Sequence, residues 1–259
     1  MSWIEAFILG MIQGLTEFLP ISSTGHLYLG RHAFGLDEAG LFLDTMLHMG
    51  TLLAVLVFYK DELIRIIKRP FSKLTYLLVV GTIPSVIVGF TLLDFFDEIS
   101  KSGVTIGWEF LVTGFFLWFA DSIRNGRKKM DDISYTDALV IGTFQAAAIF
   151  PAISRSGLTI VGALIRKLDR ETAAYFSFLL STPAIAGALL LQGADLAKGK
   201  VEHISVTALL IGAFASCVFG YMAVRWMINF LKRGSLKIFA GYVWALGIVI
   251  LAAQILGKF

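Results

Sequence analysis

Six apolar stretches restrict what this 259-residue chain can fold into: Leu41–Tyr59, Leu74–Leu93, Val104–Ala120, Thr172–Leu191, Ser205–Ile228 and Ile238–Leu256. Each comes close to the roughly 20 residues that carry a helix across a bilayer. A core helix of a water-soluble protein would keep a polar face, and these runs have none. Charged residues make up only 16% of the chain against 57% hydrophobic ones, and the mean hydropathy is +0.78. Lipid offers no partner to a bare backbone, so the spans are helices and the fold is that of an all-α polytopic membrane protein.

The net charge of +3 does not point to nucleic acid, because the basic residues sit between the spans. Most fall in four clusters: Lys60, Arg65, Lys68, Arg69 and Lys73; Arg124, Arg127, Lys128 and Lys129; Arg166, Lys167 and Arg170; Arg225, Lys232, Arg233 and Lys237. Cytoplasmic loops carry such excess. Placing these clusters inside lets the six spans alternate and puts both termini outside. The first basic residue is Arg31 and Glu5 stands near the start, so no cleavable signal is expected. The single Cys217 leaves no intrachain disulfide and no Cys-based metal site.

Two further apolar segments do not fit as spans. Met1–Leu29 is broken by Pro20-Ile-Ser-Ser-Thr-Gly25, and Ala138–Ile165 by Pro151-Ala-Ile-Ser-Arg-Ser-Gly157. The topology requires each to leave the membrane on the side it entered, so each reads as a re-entrant helical hairpin. Gly10-x-x-Gln13 recurs as Gly142-x-x-Gln145, and Ser22 and Gly25 recur as Ser154 and Gly157. The expectation is one integral membrane domain, residues 1–259, with six transmembrane helices plus two re-entrant hairpins in an inverted-topology repeat. The first repeat covers about residues 1–130 and the second about 131–259. Interrupted helices at matching places in two halves mark the functional site.

A Ser or Thr after each Pro can cap the following half-helix, whose free N–H groups and positive dipole end favour an anion, phosphate above all. Arg155, between Ser154 and Ser156, adds a planar bidentate donor suited to phosphate. Glu17 lies one turn after Gln13. An acid in an apolar setting is a candidate for function, as ligand of a divalent cation shared with phosphate oxygens, as proton carrier, or as partner of Arg155. Ser22, Ser23, Thr24 and His26 offer hydroxyls for nucleophilic attack and an imidazole for proton transfer, or simple caps and a structural bond. His48 fits a helix–helix bond as well as a place in the site. His32 and His203 read as surface residues, and the four histidines lack the spacing of a zinc site. Asp44, Glu109, Asp121 and Asp137 read as interfacial. Trp108, Trp226 and Trp244 read as interface anchors, and Gly187 with Ala188, like Gly212 with Ala213, as close-packing pairs.

Gln13-Gly-Leu-Thr-Glu17-Phe-Leu-Pro20-Ile-Ser-Ser-Thr-Gly-His26, followed by Pro151-Ala-Ile-Ser-Arg-Ser-Gly157, resembles the undecaprenyl-diphosphate phosphatase family, also called the bacitracin-resistance proteins. The resemblance runs the whole chain. It implies a multi-pass enzyme of the bacterial inner membrane. Such an enzyme hydrolyses undecaprenyl diphosphate to undecaprenyl phosphate and phosphate, which recycles the lipid carrier of peptidoglycan synthesis and confers bacitracin resistance. It implies Glu17, Ser23, His26 and Arg155 as catalytic residues, with Glu17 also on a Mg²⁺ or Ca²⁺ ion. Gln13, Ser22, Thr24, Gly25, Ser154, Ser156 and Gly157 would bind substrate. Some members have Glu at the position of Gln13, and many have Gly at that of Ala152.

The mechanism so implied is attack by Ser23 on the terminal phosphorus, with His26 or Glu17 taking its proton, although attack by His26 or by water is also open. The partners expected are a polyprenyl diphosphate and bilayer lipids, without nucleic acid, in a possible homodimer. The rival reading is a lipid flippase or secondary transporter, which uses the same broken-helix architecture.

Overall fold

The computed structural model describes residues 1–36, 41–92, 103–123, 126–197 and 204–257, without the side chains of 41 and 194–197. His203, Lys101, Arg124, Lys198, Lys200 and Lys258 lie outside the described residues. Eleven α-helices account for most of the remainder: α1 (Trp3–Phe18), α2 (Ser23–Ala33), α3 (Leu41–Phe58), α4 (Lys60–Lys68), α5 (Lys73–Thr91), α6 (Ile106–Asp121), α7 (Tyr135–Ala147), α8 (Arg155–Ile165), α9 (Arg170–Ala197), α10 (Val206–Leu231) and α11 (Lys237–Ile255). Among the described residues there is no strand, only an isolated bridge between Lys128 and Leu168. The chain is a multi-pass helical membrane protein.

Four helices, α5, α9, α10 and α11, are long and apolar enough to cross a membrane. A fifth span results if α3 is counted with α4, which turns away by 76°. The sixth expected span is the 16-residue α6, whose length of about 24 Å falls short of a full hydrocarbon core. Helix α3 ends at Phe58, and the buried Tyr59 that follows donates its hydroxyl to the Tyr175 carbonyl, 3.0 Å away.

Each broken segment begins on a capping box and resumes from a serine cap. Ser2 and Glu5 form a capping box at α1, as Ser134 and Asp137 do at α7. Pro20 forces Leu19 into an extended conformation that no helix continues through. Ser22 then caps α2 through the Gly25 N–H, and Ser154 caps α8 through the Gly157 N–H.

The two halves interlock. Helix α1 packs on α10, and α7 packs on α5. Glycines permit both approaches: a Cβ on Gly10 would stand 2.2 Å from Gly212 O, and one on Gly142 would stand 2.1 Å from Gly81 O. Gly187 departs from expectation, since a Cβ there meets nothing within 4 Å, so its smallness does not serve helix packing.

The basic loops converge at one end of the molecule. Lys73 Nζ donates to Asp131 O, and Lys128 N to Lys167 O. Arg170 reaches both Asp121 and Gly234 O, and Asp137 holds Lys128 and Arg166. Glu109 and Trp244 depart from the interfacial reading. Glu109 is buried among helices. Trp244 fits over Gly114 and donates to Leu111 O, which ties α11 to α6.

Candidate functional site

The two breaks meet. Ser156 Oγ of the second donates to Leu19 O of the first at 2.9 Å, and Gly25 lies so close to Phe110 and Ala152 that any larger residue would clash. Between the breaks lies a cavity of about 220 Å³. Its polar wall comprises Glu17, Ser22, Ser23, Thr24, Ser154, Arg155 and Ser156, with His48 and Gln192 opposite.

Glu17 is its hub. Oε2 accepts from Ser23 Oγ at 2.6 Å and from Gln13 Nε2 at 2.9 Å, while Oε1 pairs closely with Arg155 Nη2. Ser23 and Arg155 are the first helical residues of α2 and α8, each following its serine cap. The caps take the Gly25 and Gly157 N–H groups and leave those of the first residues toward the cavity end of each dipole. Breaking the Glu17–Arg155 pair from one side would leave a buried charge uncompensated, at a cost of about 3–5 kcal/mol.

Ser22 stands at φ 70°, ψ 104°, a left-handed backbone that a serine rarely adopts. His26 Nδ1–H donates to Ser22 O at 2.7 Å and thereby helps to hold this shape. That bond fixes the tautomer and leaves Nε2 as acceptor for the Tyr242 hydroxyl at 2.8 Å. Both ring nitrogens are therefore occupied, and His26 lies outside the cavity, stacked on Tyr242 and edge-on to Phe110. The structure thus sets His26 against Ser22 and Tyr242, and the side chain that touches the Ser23 hydroxyl is Glu17.

His48 is the residue that sequence reasoning left undecided. Its Nδ1–H donates to Asp44 O at 2.8 Å, and Nε2 faces Glu17 Oε2 at 3.8 Å across the cavity wall. Its place one turn after Asp44 on a span was the only signal for it. Thr113 of α6 was missed altogether, and Glu109 of the same helix was read only as interfacial. Glu109 accepts from the Ala152 N–H and Thr113 Oγ1 from the Ser154 N–H at 3.2 Å, which satisfies the backbone of the second break. Asp44 pairs with Arg31 at 2.6 Å near the first break.

Among the described residues no three His, Cys, Asp or Glu side chains converge as a metal site. The oxygen donors nevertheless suit a hard divalent cation. Among the described residues Glu17 is the one carboxylate lining the cavity, and Gln13 Oε1 beside it is buried without a partner. Phosphate oxygens would complete such a shell.

Fold and site together define a multi-pass membrane protein whose two broken helices present one polar, anion-accepting pocket within an apolar body. Residues 6–249 match the family described as bacitracin resistance protein BacA, and the chain belongs to that family. It is 72% identical over 254 residues to "Undecaprenyl-diphosphatase 4" of Bacillus thuringiensis (strain Al Hakam), covering 98% of each chain. It is 47% identical over 261 residues to "Undecaprenyl-diphosphatase" of Carboxydothermus hydrogenoformans, covering 100% of each. With "Undecaprenyl-diphosphatase" of Halothermothrix orenii it shares 41% identity over 253 residues.

Proposed function

We infer that the chain is an undecaprenyl-diphosphatase that hydrolyses the terminal phosphoanhydride of the lipid diphosphate. The observation that carries this reading is Glu17, which holds the Ser23 hydroxyl on one oxygen and Arg155 on the other where two helix N-termini meet. In this mechanism Ser23 Oγ attacks the terminal phosphorus and its proton passes to Glu17. The bond from phosphorus to the bridging oxygen breaks, and undecaprenyl phosphate leaves. Glu17 passes that proton to the departing undecaprenyl phosphate; water then attacks the phosphoserine, the phosphorus–Oγ bond breaks, and the carboxylate relays the water proton to Ser23 Oγ as inorganic phosphate is released. Arg155 and the two half-helix ends bind the charge that grows on the departing oxygen. Gln13 and Glu17 would hold a Mg²⁺ or Ca²⁺ ion, which supplies charge neutralisation when bound. Ser22, Thr24, Gly25, Ser154, Ser156 and Gly157 shape the anion cradle.

Six spans and two re-entrant hairpins in an inverted repeat are the arrangement we assign. The reciprocal packing of α1 on α10 and α7 on α5 supports it. The convergence of the basic loops supports a cytoplasmic-membrane orientation with both termini outside.

The test is phosphate release from undecaprenyl diphosphate by purified protein, with magnesium or calcium and then with EDTA, beside Ser23→Ala and Arg155→Ala. Cation-dependent release lost in both variants is expected. The interlocked halves also suit a lipid flippase; well-folded protein that releases no phosphate in detergent, where transport is impossible, would favour that reading.

A further inference from the structure

Arg155 has two faces. One lines the polar cavity, and the other lines a second cavity of about 430 Å³ between α5 and α9. Apart from Thr82, Ser85 and Gln145, the rest of that second cavity is apolar, with Val86 and Phe90 from α5 and Ala184, Leu190 and Leu191 from α9. A third, of about 500 Å³, continues the same seam toward α4 and shares Thr82, Val86 and Pro183 with the second. A continuous apolar slot thus runs along α5 and α9 and ends on the guanidinium of the polar pocket. Arg155 Nη1 is buried and has no partner, whereas Nη2 is fixed by Glu17.

Two glycines give this slot its width. Gly89 of α5 and Gly187 of α9 both line it, and a Cβ on either would meet no atom within 4 Å. Neither position needs glycine for packing or for a left-handed backbone, and a helix interior disfavours glycine by about 1 kcal/mol. Their smallness serves the slot.

We propose that the α5–α9 slot is the lateral portal for the isoprenoid chain, that Gly89 and Gly187 set its bore, and that the lipid-linked phosphate rests on Arg155 Nη1 at its inner end. The proposal rests on the hydrolase reading above and deepens it by naming the path of the tail. A largely apolar slot receives a hydrocarbon at little cost in polar desolvation. A diphosphate lying from slot to pocket then presents its terminal phosphorus to Ser23 and its bridging oxygen to Arg155. Binding of the tail acts alike on ground and transition states, so narrowing the slot raises KM and leaves kcat.

The experiment compares Gly187→Phe and Gly89→Phe with Val249→Phe, which places the same ring on the exposed face of α11. Purified full-length proteins are assayed on undecaprenyl, farnesyl and dimethylallyl diphosphate. The two glycine variants are expected to raise KM about tenfold for the two longer lipids, with kcat and the dimethylallyl reaction within about twofold. KM values equal to those of Val249→Phe, or a fall in kcat shared by all three substrates, would overturn the proposal. Inactive wild-type protein would instead remove the hydrolase reading. Cross-linking by a benzophenone-bearing farnesyl diphosphate then decides the portal on its own: labels on α5 and α9 uphold it, and labels elsewhere overturn it.

Discussion

The Ser23 hydroxyl lies 2.6 Å from Glu17 Oε2, although four residues of broken helix separate α1 from α2. The same carboxylate reaches across to Arg155 of the other half, so carboxylate, hydroxyl and guanidinium form one hydrogen-bonded unit. Glu17→Gln keeps the shape and removes both the proton acceptor and the charge that orients Arg155. We expect phosphate release to fall by about a thousandfold, with a lower thermal midpoint from the uncompensated guanidinium. A variant that keeps more than a tenth of the wild-type rate would rule Glu17 out as the base.

Tyr242 acts at one remove. Its hydroxyl donates to His26, His26 donates to Ser22 O, and Ser22 carries the left-handed backbone that aims Ser23. Tyr242→Phe deletes one hydroxyl at a partly exposed position of α11, so stability should change little. The expected result is a fall of about tenfold in kcat with KM nearly unchanged, the signature of a misaimed reacting group. A rise in KM alone would place Tyr242 in substrate binding.

Much of this was legible in the sequence, and the exceptions have a common physical cause. The breaks after Pro20 and Pro151 announce themselves because proline and serine dictate local backbone whatever surrounds them. The basic loops announce the shared end because charge cannot enter lipid. What a residue on an apolar helix faces is different information. In a span that is hydrophobic all round, periodicity does not distinguish lipid from neighbour. Glu109 therefore looked interfacial while it caps the second break, and Gly187 looked like a packing residue while it faces a slot. His26 was correctly drawn to the first break, but which way an imidazole turns depends on Tyr242, far along the chain.

The interlock of the halves makes a stability prediction. Gly142→Ala would drive a methyl to 2.1 Å from Gly81 O, a backbone atom that cannot turn aside. Separation of α7 from α5 should cost about 1–3 kcal/mol, seen as a lower thermal midpoint in detergent. Gly187→Ala, with open space at its Cβ, should leave the midpoint at or above wild type. Equal midpoints for the two variants would refute the close α5–α7 contact.

At the basic end, outside the spans, Asp169 caps α9 by accepting from Thr172 N at 2.8 Å and pairs with Lys129 at 2.6 Å. Partial burial works against its charge, yet the Lys129 ammonium and the Thr172 N–H outweigh it and hold the carboxyl below its ordinary value. A depressed folded value stabilises the protein above the unfolded carboxyl's range near about 3.9, and the gain disappears as pH falls through the folded value. Asn caps as well as Asp, so Asp169→Asn isolates the charge. The variant should melt below wild type at pH 7 and level with it at strongly acidic pH. A gap that persists in acid would mean the charge is irrelevant.

Gln13 offers the sharpest test of how a cation would be held. Its Nε2 donates to Glu17 Oε2, and its Oε1 is buried without a partner. Gln13→Glu adds a second carboxylate at nearly unchanged volume and removes that donor. Two acids side by side repel unless a cation lies between them, and a second anionic ligand strengthens a hard-cation site. We expect the variant to reach half-maximal phosphate release at a magnesium concentration about tenfold lower than wild type and to melt lower in EDTA than in magnesium. The metal-free penalty follows from the same geometry, because Glu17 would lose an amide and gain a like charge beside the Arg155 pair. Unchanged magnesium dependence together with an unchanged midpoint in EDTA would exclude Gln13 and Glu17 as the pair that holds the ion.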